Sequence, residues 1–504
     1  MNKFFIRIGS VVFTGMVLSM SCKKALDVPP THMVPVKQMW QVKNDARSAV
    51  FGTYGLLRAA LSNNNAYLAY GELRGGDFVS TSRSDIAAVT ENDLRSSEAV
   101  VEEWKNWRRF YAAIAQANLC LEKLAKVKEN DFRYTAENLK LDIANVRYLR
   151  ALTYFYLVRI WGNVPLITKT AEGTFPQVQK SDRQTILDFI TQEAQAALND
   201  LPWRYNGQSP EQSGLYWEQS DSHWRGIIAN KGAAYQLLAH IAAWRGNYLE
   251  TERYTKIAID NKALGGYDII DIGNLTNTQG GVFQGQSANV LLALPADKEF
   301  QEASASGHIE DWTLALPYVS RKTPDIYIPN DTILQIFNEK NDNRFGINES
   351  GTALGNYFTG FGSPIPMFSK IRQLSTTGAD PLRNYQSAIV IFRYEDLVLL
   401  RAEALIFLGD PDKATQLLNS IRSQRGLPEY KVADGHIADA ILKERRRELL
   451  GEGWRWFDLV RFEQVPGYTR FTAQDIKAGA LYWPLSKEVM NGNRALQQNE
   501  FWQH

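Results

Sequence analysis

Apolar positions recur at steps of three and four through much of the chain, and two stretches repeat one plan. In "AAYQLLAHIAAWRGNYLETERYTKIAID", beginning at Ala233, the residues Tyr235, Leu238, Ala239 and Ala242 fall on one helical face. Gly246-Asn247 makes a turn, and Ala258 lies on the returning helix. In "LVLLRAEALIFLGDPDKATQLLNSIRSQ", beginning at Leu397, the counterparts are Val398, Arg401, Ala402, Leu405, Gly409-Asp410 and Ile421. A small residue two turns before a turn glycine is the plan of a tetratricopeptide-type hairpin. The small side chain lets two helices approach, and glycine takes the left-handed conformation at the helix end. The match fails at the small position of the second helix in the first copy, which holds Thr251.

Two hairpins are too few for a solenoid, which needs about three. Further helical patterns occur in "NDARSAVFGTYGLLRAAL" (44–61), "WKNWRRFYAAIAQANLCLEKLAKV" (104–127), "DIANVRYLRALTYFYLVRIWG" (142–162) and "RQTILDFITQEAQAALNDLP" (183–202). The predicted fold is mainly α: a tetratricopeptide-like helical repeat scaffold with helices about 44–61, 104–127, 142–202, 227–261, 393–425 and 438–462. Between these lie three segments rich in Gly, Asn, Ser, Thr and aromatics, at 62–103, 203–226 and about 265–390. They form a loop-rich, partly β variable region with brief strand-like runs, "VLLALP" (290–295) and "AIVIFR" (388–393). Insertions this long in a solenoid are where function resides.

One late stretch, "ILKERRRELLGEGWRWFDLVRF" (441–462), sets Arg445, Glu448, Glu452, Arg455, Asp458 and Arg461 at steps of three or four. This reads as a solvated or semi-buried ion ladder, each pair contributing about 0.2–0.5 kcal/mol. Gly451 and Gly453 end or bend the helix there.

Charge excludes one class of partner. With 56 Lys+Arg against 55 Asp+Glu, nothing directs the protein to nucleic acid. The two cysteines, Cys22 and Cys120, do not make a disulfide scaffold; Cys120, between two leucines in a helix, reads as a buried packing residue. Lys3 and Arg7 precede an apolar run from Ile8 to Leu18 that is too short to span a bilayer and reads as an export signal. Ser21 then Cys22 matches a bacterial lipoprotein signal, residues 1–21, with lipid on Cys22. The alternative is an ordinary secretory signal with an incidental cysteine. The match departs from the usual pattern at Ser19, where a large aliphatic residue is expected. Residues 22–37, with three prolines, form a tether, and 38–504 a single domain. No later run reaches about 18 apolar residues, so the membrane is met through the N-terminal lipid only.

The blocks "NVRYLRALTYFYLVRIWGNVPLI", "ANKGAAYQLLAHIAAWRGNY", "FRYEDLVLLRAEALIFLGD" with "LLNSIRSQRGL", and "ERRRELLGEGWRWFDLVRF" resemble the signature blocks of the SusD/RagB family of Bacteroidetes outer-membrane nutrient-binding lipoproteins. "CKKALDVPP" and "YWPLSKEVMNGNRALQQNEFW" resemble that family's mature start and C-terminal segment. The resemblance implies a SusD-like fold and a non-catalytic, cell-surface protein that is lipid-anchored in the outer membrane. It also implies a SusC-like TonB-dependent transporter as partner, with the loops holding an oligosaccharide or, in some members, a peptide. Lysines rather than acidic residues follow Cys22, which leaves the leaflet open.

A glycan site wants exposed aromatic rings as platforms and short polar groups for the hydroxyls. Candidates lie in the insertions: Arg74, Asp77 and Arg83 in "GELRGGDFVSTSR", Trp312, Tyr318 and Tyr327 in "EDWTLALPYVSRKTPDIYIP", and Tyr357, Phe358 and Phe361 in "GNYFTGFGS". Of these, Arg74, Asp77, Arg83, Trp312, Tyr318, Tyr357 and Phe361 are taken as the ligand-binding set. Each aromatic has the competing role of packing its loop onto the scaffold. The six histidines show no metal-ligand spacing, His240 reads as a satisfied core residue rather than a base, and no nucleophile-elbow or phosphate-loop motif occurs. No cofactor is expected. A structural calcium held by loop carboxylates stays open, although no EF-hand spacing supports it. Two other classes compete: a glycoside hydrolase, which needs two carboxylates across a cleft, and an adaptor that binds only protein.

Overall fold

The computed structural model describes residues 39–171, 177–296, 304–374 and 385–503; the signal segment, Cys22 and the tether lie outside the described residues. The scaffold consists of α1 (Lys43–Ser62), α2 (Arg108–Asn130), α3 (Ala136–Trp161), α4 (Arg183–Asp200), α5 (Lys231–Trp244), α6 (Tyr248–Asp260), α7 (Tyr394–Phe407), α8 (Pro411–Gln424) and α9 (Ile437–Glu448), followed by the short α10 (Arg455–Arg461). Each helix from α1 to α8 packs on the next, and α9 lies on both α7 and α8, so the hairpins stack continuously. α6 meets α7 directly, although the third insertion separates them in sequence.

The two matched hairpins turn by the same hydrogen bonds. Gly246 and Gly409 take φ of 72° and 80°. The next residue closes back onto the helix in each copy, Asn247 N–H to the Ala242 carbonyl and Asp410 N–H to the Leu405 carbonyl, both at 2.9 Å. The Asn247 and Asp410 side chains then cap the returning helix by accepting from the Glu250 and Lys413 N–H groups, at 3.2 Å each. Such a cap contributes about 1 kcal/mol. At the mismatched position, buried Thr251 turns its hydroxyl to the Asn247 carbonyl, where the second copy has buried Ala414. Helix α3 is buried around almost its whole circumference from Ala144 to Trp161, as its broad apolar surface requires. Cys120 on α2 is fully buried, and burial pushes its thiol up to about 12.

The first insertion carries more helix than its composition suggests. Ala66–Gly71, Ser84–Thr90 and Ala99–Trp104 are short helices, and α10 packs onto Ala66–Gly71 and the turn Leu73–Gly75. A Cβ on Gly71 would overlap the Gly453 carbonyl, and one on Gly75 would overlap the Arg455 side chain, so glycine is what lets these segments touch. The two strand-like runs pair with each other: β1 (Val290–Leu294) and β2 (Ile389–Arg393) run antiparallel, Ile389 opposite Leu294, with an irregular register near Phe392.

The late charge series is not a surface ladder. Its members are buried and pair mostly with distant residues. Glu448 accepts from Arg344 at 2.9 Å, Arg393 at 2.8 Å and Arg425 at 2.8 Å. Burial opposes its charge, but Arg425, Arg393 and Arg344 outweigh it and hold the carboxyl well below the usual range. Glu452 binds Lys370 at 2.6 Å and Arg393 at 2.8 Å. Arg445 joins Asp458 at 2.9 Å and Asp396 at 2.8 Å, while Arg461 bonds Glu403 at 2.8 Å. His240 completes this group: its Nε2 lies 2.7 Å from Asp396, its ring packs against both Phe392 and Trp454, and burial lowers its pKa. Gly451 and Gly453, both left-handed, break the chain between α9 and α10 and donate their N–H groups to the Glu72 carboxylate at 2.9 Å each.

Candidate functional site

The first and third insertions meet through a two-residue antiparallel pairing, Val79 opposite Tyr327 and Ser80 opposite Ile326, extended by Thr81 N–H to the Asp325 carbonyl at 2.8 Å. That pairing sets the loop ending at Arg83 beside the segment from Asp311 to Asp325. Arg83 bonds Asp85 through Nε at 3.0 Å and reaches Asp325 at 3.4 Å. Arg321 bonds Asp325 at 3.0 Å and Asp311 at 3.1 Å. The five side chains form one chain of alternating charge; Asp85 is buried and the other four are partly exposed, up to 30% for Arg83. Burial works against the Arg83 charge, but the Asp85 and Asp325 carboxylates outweigh it and raise its pKa. Burial raises that of Asp311, only partly offset by Arg321.

The same Asp311–Asp325 segment carries Tyr318, partly exposed, with its hydroxyl 3.2 Å from Thr359 Oγ1, which donates to Ser369 Oγ at 2.9 Å. The Arg372 guanidinium lies over the Tyr318 ring, 4.1 Å from its centre, without a carboxylate partner among the described residues. The arrangement offers hydroxyl-sized donors and acceptors beside an aromatic ring at a surface junction of two insertions. A polyol ligand needs this combination.

Of the residues predicted to bind, the junction collects Arg83 and Tyr318. Phe361 is partly exposed but lies against Phe345, ring centres 5.0 Å apart. Four others are corrections. Arg74 is fully buried, donating to the Leu481 and Ala480 carbonyls at 2.7 and 2.9 Å with its guanidinium 3.8 Å from the Trp456 ring, so it clamps the C-terminal segment. Asp77 is buried and holds Arg446 at 3.0 Å and Arg455 at 3.5 Å. Trp312 is 1% exposed, its indole against Trp104 and its face beneath Arg83. Tyr357 is 0% exposed, packed on Phe337 with Lys370 Nζ 4.9 Å from its ring. A loop in a Gly-rich sequence still has an inner face, and large rings fill it. Tyr327 pairs with Val79 through its backbone and is partly exposed. Sequence reasoning missed Asp311, Arg321, Asp325 and Arg372; the first three lie inside a segment singled out for its aromatics, whereas nothing local marks Arg372. Among the described residues no cluster of three or more His, Cys, Asp and Glu is placed to hold a metal ion.

Two family models match the chain: the SusD family over residues 336–502, and a family described as starch-binding, associating with the outer membrane, over residues 44–213. A crystal structure of a SusD superfamily protein from Bacteroides thetaiotaomicron is 40% identical, covers 92% of this chain and 100% of its own, and superposes with a TM-score of 0.84. The chain belongs to the SusD/RagB family. SusD-like protein P38 of Formosa agariphila is 28% identical over 95% of both chains. A laminarin-binding SusD-like protein shares the SusD fold at a TM-score of 0.70 and 21% identity, covering 91% of this chain and 99% of its own. The SusD assignment accounts for the helical scaffold and for the association of the family with the outer membrane. No helix among the described residues is long and apolar enough to cross a membrane.

Proposed function

We propose that this SusD-like chain is a non-catalytic binding protein that is anchored by lipid on Cys22, captures an oligosaccharide at the cell surface and delivers it to a SusC-like TonB-dependent transporter. The observation that carries the reading is the junction of the first and third insertions, where one segment carries both Tyr318, under Arg372, and the Arg321, Asp311 and Asp325 side chains that pair on to Arg83 and Asp85. Family membership supports the nutrient role, and the laminarin-binding neighbour gives a first glycan to try. The Asp311 and Asp325 carboxylates are tied to Arg321, which suits holding hydroxyls better than attacking a glycosidic bond.

The test is calorimetry of the soluble chain, beginning after Cys22, against a glycan array headed by laminarin oligosaccharides and extended to peptides. Binding of a glycan that Tyr318→Ala abolishes, with unchanged melting temperature and no sugar release, is the expected result. Binding of peptides alone would replace the ligand class, and release of sugar by the purified chain would end the non-catalytic reading. Co-purification of a TonB-dependent transporter with the lipidated protein tests delivery.

A further inference from the structure

A groove of about 600 Å³ lies on another part of the molecule, between α1, the end of the second insertion and the end of β1. Its walls are Phe51, Tyr54, Trp224, Ile227, Ile228, Leu294 and Pro295, with Arg47, Ser48, Arg58 and His223 at the margins; among the described residues neither carboxylate nor carboxamide side chains line it. Gly55 leaves part of it open, since a Cβ there would meet no atom within 4 Å.

Three features decide what could fill it. The indole of Trp224 is not an open platform: Phe51 lies parallel to it at 5.4 Å, and Tyr216 and His223 pack on it at 5.4 and 4.5 Å. A sugar would find the Trp224 ring already packed, and its many hydroxyl donors would find few side-chain acceptors among the described residues, a costly mismatch for polar groups taken out of water. Aliphatic side chains, by contrast, match Ile227, Ile228, Leu294 and Pro295. Arg47 supplies a cation at one end. Arg47 lies 5.9 Å from the Trp217 ring without a carboxylate partner among the described residues, while Arg58 donates to the Pro295 carbonyl at 2.6 Å. From Arg47 to Gly55 the groove follows α1 for about 12 Å at 1.5 Å per residue. That length takes about four residues of extended chain at about 3.3 Å each.

We infer that this groove docks a short extended peptide segment of a partner protein, with two or three apolar side chains on the floor and a carboxylate at the Arg47 end. This site stands apart from the glycan junction and does not depend on it. The probes are the acetylated tetrapeptide amide DLFL and its uncharged counterpart NLFL, titrated into the soluble chain. DLFL is expected to bind at least about tenfold more tightly than NLFL, as a charge-assisted contact allows. Arg47→Gln should erase the difference between the two peptides. Gly55→Leu should fill the groove and abolish binding of both while leaving the melting temperature unchanged or raised, because leucine is the better helix former. Equal affinity of the two peptides for the unmodified protein, undiminished binding to the Gly55→Leu protein, or no heat up to about 1 mM peptide would each overturn the inference. Displacement of DLFL by laminarin oligosaccharides would assign the groove to sugar and overturn it as well.

Discussion

Glu448→Gln removes one negative charge from a site where three arginine side chains converge on a single carboxylate. The amide keeps the shape but can accept on one atom only. Arg344 and Arg393 retain other carboxylates, Asp342 and Glu452, whereas Arg425 loses its close partner and keeps only Glu395 at 3.5 Å. Removing one partner of a buried ion pair costs about 3–5 kcal/mol, since the cations left behind are uncompensated in a low-dielectric interior. Unfolding entropy of about 2.1 cal/mol/K per residue gives about 1 kcal/mol/K for a chain of 504 residues, so the melting temperature should fall by about 3–5 °C. The dependence on pH has a definite sign. The folded Glu448 carboxyl sits below its unfolded value of about 4.3, so its stabilisation is complete above that value and erodes as pH falls toward the folded pKa. The gap between wild type and variant should therefore be widest at pH 6 to 7 and narrow below about pH 4. Calorimetry of both proteins across this range is the assay. A shift below about 1 °C at neutral pH would refute the reasoning, because it would mean that the neighbouring carboxylates already neutralise the arginines.

Trp312→Ala and Tyr318→Ala should separate core from site: the first should cost about 3–5 kcal/mol in urea unfolding, and the second should lose glycan affinity with stability unchanged. Burial pushes Glu310 up to about 7 although it accepts from the Ser387 hydroxyl and the Gln373 N–H. Its contribution to stability is thus full below the unfolded value of about 4.3 and lost as pH rises to about 7, and Glu310→Gln should flatten the fall in melting temperature across that window read by scanning fluorimetry. Gly71→Ala should destabilise by about 1–3 kcal/mol in urea unfolding, because the new methyl group must displace the Gly453 carbonyl and with it the backbone that holds Glu72.

The periodicity of the chain determined the scaffold. Helix positions, the matched turns at Gly246-Asn247 and Gly409-Asp410, and the strand-like runs at 290–295 and 388–393 are local properties, set by side-chain spacing, glycine's access to positive φ and capping groups a few residues away. The burial of Cys120 and His240 was readable for the same reason, since each sits on the apolar face of a recognisable helix. What the inserts do was not readable. Only the tertiary structure turned Arg74, Asp77, Trp312 and Tyr357 inward and left Arg83 and Tyr318 at the surface, because which face of a glycine-rich loop meets the core depends on partners hundreds of positions away. The same holds for the late charge series. Steps of three and four suit a helix surface as well as an interior, and it is the approach of Arg344, Arg393 and Arg425 from other parts of the chain that makes Glu448 part of the core. Local pattern fixes local conformation, whereas exposure and ion pairing are properties of the packed whole.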